Sequence, residues 1–549
     1  MTKTSGNFTD FVDFSRASSG TALRRIAYGS ELVTNGTFDT DVSGWTGDGT
    51  VAYDGGTLSL TSVGTQYAEP DSAISTVSGS VYKVTFDLSN TASNVNFRVG
   101  TTSKGVDILN ASWGLSDGSH EYSFVATGTT TYIAFGVADD QINIDNVSVK
   151  EVLFDDPSGD LVLFNHPDNI SRVEYDASGN VKGLLIEEAR TNIMPRSEVI
   201  VGNGWSDSGS TSTDLSENAL DLFNGVSVQS GGANWNRISN TQSTVTSGTE
   251  YAATVFYRAG TSGRLRVVFR DGGAATETII TGEIGSLAVT LSDAGSASVL
   301  SEESLAGDVK KLTISFTPNF SGTLNFGIGP DSNTSGETVI AYAGQIEVGS
   351  FATSYIPTAG STAARSVDIA SIDVDQFGYN KTAGTMLVEY NYVALDSGVL
   401  GRFLELNGTS ASTERILLYQ AEGSENTYFQ IRDDGVTSVG LSTPDFTFDQ
   451  DAKVAASYSS KSAILYSDGD LSGADTSVVV PDDITKLDIG RADSSGTDLG
   501  KVYIKSVKYY PRRLTDAQLE KLTKPAASTT LSLTFDGQDG SSLTTGLHP

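Results

Sequence analysis

The sequence predicts an all-β protein of tandem antiparallel β-sandwiches, and three observations predict it. Apolar and polar residues alternate over short stretches, as in Tyr82 to Leu88 (Y-K-V-T-F-D-L), the period of a half-buried strand. Turn chemistry recurs between such stretches, at Asp54-Gly55-Gly56, Ser78-Gly79 and Asp117-Gly118. The 58 glycines against 12 prolines, with abundant Ser and Thr, suit many short strands joined by tight turns. A chain of 549 residues exceeds one hydrophobic core, so three or four domains are expected.

Composition excludes several classes. Cysteine is absent, which removes disulfides, thiolate zinc sites and thiol nucleophiles. With 67 acidic and 35 basic residues the net charge is −32, a surface that repels nucleic acid and anionic membranes. Such a surface could hold hard cations such as calcium, or simply solvate the chain. No apolar run reaches the roughly 18 residues of a spanning helix, so no membrane insertion is expected. The start, M-T-K-T-S-G-N-F-T-D-F, has no apolar core of a secretory signal, so synthesis in the cytoplasm of the producing cell is expected.

Taken in order, residues 1–30 read as an N-terminal arm. Phe11 and Phe14 are its aromatic anchors, and Arg16, Arg24 and Arg25 form a basic island that either docks on another subunit or packs on the first domain. Residues 31–152 read as one sandwich, with strands in T-Y-I-A-F-G-V and I-N-I-D-N-V-S-V-K-E-V. Residues 153–194 read as a connector with a hairpin turned at Asp176 to Asn180. It ends in G-L-L-I-E-E-A-R-T-N-I-M, where Arg190 can fork onto a carboxylate or backbone carbonyls and suits a buried joint.

Residues 195–365 repeat the first sandwich. S-G-T-E-Y-A-A-T-V-F-Y from Ser247 echoes S-G-S-V-Y-K-V-T-F from Ser78, and T-L-N-F-G-I-G from Thr323 echoes Y-I-A-F-G-V-A from Tyr132. The offset grows between the two echoes by about 22 residues, an insertion expected among residues 270–308. Residues 366–524 form a third sandwich ending in V-Y-I-K-S-V-K-Y-Y-P-R-R-L-T, where Thr515 can cap a short helix with Asp516 at its positive end. Residues 525–549 read as a tail with a single strand.

The residues carry resemblances. E-L-V-T-N-G-T-F-D with S-G-W, then V-S-G-S-V-Y-K-V-T-F, then Q-I-N-I-D-N-V-S-V, resembles the jelly-roll carbohydrate-binding modules appended to xylanases and glucanases. That resemblance implies a structural calcium, at the matching positions Asp39 and Asp145; otherwise these are two surface carboxylates in turns. The ending of the third sandwich resembles the concanavalin A-like (laminin G-like, pentraxin-like) family. The order F-S-R-A-S-S, L-L-I-E-E-A-R-T-N, S-Y-I-P-T and A-R-S-V-D resembles virion structural proteins of tailed bacteriophages, of the tail, fibre or appendage type. It implies a place on the phage particle surface, with other virion proteins and host surface polysaccharide as partners. Resemblance to phage fibres also implies a homo-oligomer, most simply a trimer, with residues 1–30 contributing to attachment; no heptad run specifies it.

Little in the chain points to catalysis. His120, His166 and His548 lack metal-like partners at short spacing, and His166 reads as a loop histidine. The concanavalin-like hydrolases show an E-x-D-x-E strand whose carboxylates share one face. Here the nearest approaches are Ile372-Asp373-Val374-Asp375 and Phe403-Leu404-Glu405, so no enzyme activity is expected. Sugar binding needs an exposed ring face and a few polar groups. The four candidates are Trp45, Trp113, Trp205 and Trp235. Trp45 and Trp205 follow matching Ser-Gly and Asn-Gly steps and serve either as platforms or as core; Trp113 and Trp235 lie in polar loops. The expected function is non-catalytic recognition of host glycans by a virion appendage. A purely structural decoration or connector, and a polysaccharide depolymerase, stay open as alternatives.

Overall fold

The computed structural model describes residues 12–91, 95–111, 113–396, 400–410, 413–421, 424, 426–444, 447–490 and 499–524, and the backbone of 532–536 and 542–546. Phe11 and His548 lie outside these residues. The architecture is all-β, with two compact units: Arg25–Asp160, and Met1–Arg24 together with Leu161–Pro549.

In the first unit the alternation of Val81–Ser89 turns Tyr82, Val84, Phe86 and Leu88 inward. That strand lies between Gly118–Val125 and Gln141–Phe154. The facing sheet runs Leu109–Asn110, Val95–Gly100, Thr130–Ala138, Thr65–Pro70, Trp45–Gly47. Phe38, Phe86, Phe97 and Phe135 fill the space between.

The second sandwich repeats this plan inside the larger unit. One sheet runs Trp205–Ser208, Arg237–Val245, Gly322–Pro330, Arg264–Asp271, Glu277–Glu283, Ala288–Ser292. The other runs Ser210–Asp214, Val226–Ser230, Thr338–Val348, Tyr251–Ala259, Lys310–Pro318, Gly295–Ser304. The copies agree in detail. The Val77 N–H donates to the Tyr82 hydroxyl at 2.8 Å, and the Thr246 N–H donates to the Tyr251 hydroxyl at 2.9 Å. Trp45 stands 6.2 Å from Phe135 and Trp205 6.4 Å from Phe326, centroid to centroid. The insertion falls where the offset places it. Between its matching strands the first copy has only the two-residue strand Leu109–Asn110, whereas the second builds Glu277–Glu283, Ala288–Ser292 and Gly295–Ser304.

The third sandwich has two seven-strand layers, one of them extended by the tail. One layer runs Asp13–Ser15, Ile369–Asp373, Ile484–Ile489, Leu400–Gly408, Arg415–Ala421, Thr427–Asp433, Val436–Ser442. The other runs Arg172–Tyr175, Val181–Glu187, Lys501–Tyr510, Ala383–Ala394, Asp451–Ser459, Ser462–Ser467, Asp470–Asp475. The helix Asp516–Thr523 follows Thr515 at its N-cap, and the Gln518 side chain accepts the Thr515 N–H at 3.0 Å. Ser532–Asp536 pairs in parallel with Ser506 to Tyr509 and returns through Ser542–Gly546, two strands where one was expected.

Two segments lie differently from their sequence assignment. Residues 12–24 are not a free arm: Asp13–Ser15 pairs with Ile369–Asp373, and Arg16 and Arg24 are buried in their own chain. The hairpin of the 153–194 segment is more than a connector, because Leu184 to Glu187 pair with Lys501 to Ile504 and close one edge of the third sandwich. Both departures have one cause. Asp368 accepts from Arg16 at 3.2 Å and from Arg172, while Glu187 meets Arg172 at 3.0 Å, Lys501 at 3.5 Å and Arg365 at 3.6 Å. The excess positive charge is spread over carbonyls: Arg16 also donates to those of Ser18, Pro167 and Ile170, and Arg172 to that of Thr21. Burial alone would raise the Glu187 carboxyl, but Arg365, Arg172 and Lys501 outweigh it and hold it well below the usual range. Charged side chains so deeply buried need each other, so segments far apart in sequence fold as one piece.

Candidate functional site

The open groove of the second sandwich has a cavity of about 510 Å³ lined by Ser208, Trp235, Arg237, Arg270, Ala275, Thr276, Glu277, Leu291 and Asp293. Its ring platform is Trp235, on the loop between Val226–Ser230 and Arg237–Val245. The buried Asn236 carboxamide oxygen accepts the Gly231 N–H at 2.7 Å and the Ala233 N–H at 3.3 Å, which pins that loop. The six-membered edge of the indole rests on Gly209, where φ is +71° and a Cβ would stand 2.6 Å from the ring. Any side chain at Gly209 would push the platform away. Half of Trp235 remains exposed.

Beside the ring lies a charged cluster. Glu277 bonds Arg237 and Arg270 at 3.1 Å each and stands 3.7 Å from Arg266. Arg237 also donates to the Trp235 carbonyl at 3.1 Å, tying cluster to platform. Burial pushes the Arg237 guanidinium below its usual value; Glu277 pulls it back up, and Arg270 and Arg266 add to the fall. Leu291 and Asp293 come from the inserted segment, which thus supplies one wall of the groove. An apolar ring face beside forked donors and carboxylates can stack on the C–H face of a sugar ring and bond its hydroxyls.

The other tryptophans divide sharply. Trp45 and Trp205 cannot act as platforms: both are buried, their indole N–H groups donating to the Thr34 carbonyl at 3.3 Å and the Arg196 carbonyl at 3.0 Å. Their expected sugar-binding role is corrected to core packing. Trp113 is 43% exposed in the first unit. Sequence reading found Trp235 but missed Arg270, Glu277 and Asp293. The signal was present in R-L-R-V-V-F-R, since Arg264, Arg266 and Arg270 fall on one face of a strand at even spacing.

The two carboxylates expected to hold calcium lie near enough for Asp39 to act on Asp145. Gly36 packs against the bulge between Asp145 and Ser148, where a Cβ would stand 2.0 Å from the Val147 carbonyl oxygen, and the Val147 N–H donates to the Gly36 carbonyl at 2.9 Å. This brings Asp39 near Asp145, which pairs across the sheet with Asp87. Burial raises the Asp145 carboxyl, and Asp87 and Asp39 raise it further. Among the described residues no three Asp, Glu, His or Cys side chains converge as a ligand set, so backbone oxygens would have to complete one. Glu405 is 1% exposed, 3.4 Å from Arg402 and across from Asp488, and is pushed up to about 7, chiefly by burial. His166 is fully buried and held well below its usual value by burial, then by Arg24, Arg16 and Arg172, so it is a neutral packing residue.

No protein-family model and no curated protein matches the chain. Solved structures resemble parts of it in fold alone. The CBM40 of Ruminococcus gnavus IT-sialidase bound to α2,3-sialyllactose is 19% identical, with a TM-score of 0.23, over 26% of this chain and 84% of its own. A heptameric SAP-like pentraxin from Limulus polyphemus is 11% identical, with a TM-score of 0.23, over 31% and 83%. Sheep galectin-11 in complex with glycerol is 10% identical, with a TM-score of 0.19, over 26% and 96%.

Proposed function

We propose that this chain is a non-catalytic glycan-binding protein of a tailed-phage particle, displayed on the virion surface and engaging host polysaccharide through the second sandwich. The observation that carries the glycan reading is the groove in which half-exposed Trp235 stands beside Arg237, Arg270 and Glu277. Support for the virion reading comes from the motifs themselves. Arg16 of F-S-R-A-S-S, Glu187 of L-L-I-E-E-A-R-T-N and Arg365 and Asp368 of A-R-S-V-D meet in one buried cluster. The segments that carry the resemblance are thus the ones that hold the larger unit together.

A glycan array probed with the full chain, Trp235→Ala and Trp113→Ala tests this. Binding that survives in Trp113→Ala and is lost in Trp235→Ala is expected. Absence of binding by the unaltered chain would favour the second reading, a structural connector, for which the buried cluster is the favouring observation. Reducing-end release from host polysaccharide would instead favour a depolymerase.

A further inference from the structure

We infer that the groove of the second sandwich selects acidic saccharides, binding a sugar carboxylate on Arg270; this rests on the reading of the groove as a glycan site. Three guanidiniums, Arg237, Arg266 and Arg270, share Glu277 as their common carboxylate. Asp293 also lines the groove but is exposed and solvated, so it offsets them weakly. Guanidiniums are thus gathered at this groove in a chain whose net charge is −32. Arg237 and Arg266 are nearly buried and spent on Glu277, whereas the Arg270 side chain is 36% exposed. Among the described residues, Arg270 donates through Nη1 alone, to Glu277 at 3.1 Å. Arg270 lines the groove, and a guanidinium fork matches a carboxylate better than a hydroxyl.

The platform sits at the right place for such a ligand. The Trp235 carbonyl is tied to Arg237 and Arg237 to Glu277, so ring and guanidinium cluster are held by one chain of hydrogen bonds. A pyranose stacked on the indole would direct a ring substituent toward Arg270. Neutral sugars would keep the stacking and lose the charge-assisted bonds.

The test is titration calorimetry of the full chain with glucuronic acid oligosaccharides, with the same oligosaccharides after reduction of their carboxyls to alcohols, and with sulfated neutral oligosaccharides. Acidic probes should bind about tenfold tighter than the reduced ones, and that margin should shrink as salt is raised. Arg270→Gln should erase the margin between acidic and reduced probes, and Trp235→Ala should abolish binding of both. Reduced probes binding as tightly as acidic ones, still dependent on Trp235, would overturn acid selection and leave the glycan reading standing. No binding of any probe would overturn both. Sulfated probes matching the carboxylated ones would replace carboxylate selection by general anion selection and overturn the inference as stated. If Arg270→Gln does not fold, the salt dependence and the reduced-probe comparison on the unaltered chain decide alone.

Discussion

Trp45 and Trp205 occupy the same place in two sandwiches of one chain, each capped by a backbone carbonyl and each against a phenylalanine of the same strand. Trp113 and Trp235, in contrast, share only their exposure. The cores of the two copies were held while their loops diverged, because a core residue must fit many neighbours at once and a loop residue few. The difference that carries chemistry is the insertion: it adds one strand to each sheet, Ala288–Ser292 and Gly295–Ser304, and its Leu291 and Asp293 wall the groove beside Trp235. The second copy is also bound into the buried cluster, since Ser354 donates its N–H to Glu187 at 2.9 Å and its hydroxyl at 2.7 Å.

The sharpest test of the shared part is to remove it from both copies. Trp45→Ala and Trp205→Ala should each destabilise its own sandwich by about 3–5 kcal/mol, the cost of emptying a packed aromatic site. Hydrogen exchange on the full chain would localise the loss. A Trp205→Ala chain that protects its second sandwich as well as before would mean that the copies do not share their core logic.

Asp368→Asn should break the comparison in the other direction. It leaves Arg16 and Arg172 buried with less compensation, a change that typically costs about 3–5 kcal/mol. The larger unit should melt earlier in calorimetry while the transition of the first sandwich stays in place. A uniform shift of both would contradict the separation into two units.

Much of this was legible in the sequence, and the reasons for the rest are physical. Alternation and turns gave the three sandwiches, because strand period and glycine-bearing turns are local properties. The duplication was visible in the Ser-Gly-x-x-Tyr steps, whose tyrosines make the same backbone bond twice. Membership of a sheet was not legible for Asp13–Ser15 or Val181–Glu187, since pairing with residues hundreds of positions away leaves no local trace. The groove was half legible. Trp235 stood out by composition, but Glu277 gains its meaning only from three arginines that folding gathers around it.

Glu188 sharpens the contrast through pH. Burial first, then Asp396, push its carboxyl up from 4.5 to about 7 against the pull of Arg190. The folded chain therefore holds more protons than the unfolded chain between those values, so stability falls as pH rises from about 4.5 to about 7 and is level above. Glu405 acts in the same window. Glu187 acts oppositely, its contribution being lost only as pH falls below the usual carboxylate range. Glu188→Gln should flatten the fall in melting temperature of the larger unit between pH 5 and 8, and should be at least as stable as the unaltered chain at pH 8. An unchanged slope would show that Glu188 is not held in its protonated form.

The smallest effect is expected in the first copy, at Asp39 and Asp145. Burial raises the Asp145 carboxyl there, and repulsion from Asp87 and Asp39 raises it further. A calcium ion held by Asp39, Asp145 and backbone oxygens would turn the repulsion into attraction. A ligand that binds only the folded state stabilises it by an amount set by its concentration over its dissociation constant, about 1–3 kcal/mol at ratios of ten to a hundred. Chelator should therefore lower the melting temperature of the first sandwich by a few degrees relative to millimolar calcium, and Asp145→Asn should lose that response. The opposite pattern has a distinct meaning. If chelator does nothing and Asp145→Asn is more stable than the unaltered chain, the site is uncompensated like-charge repulsion and calcium plays no part in it.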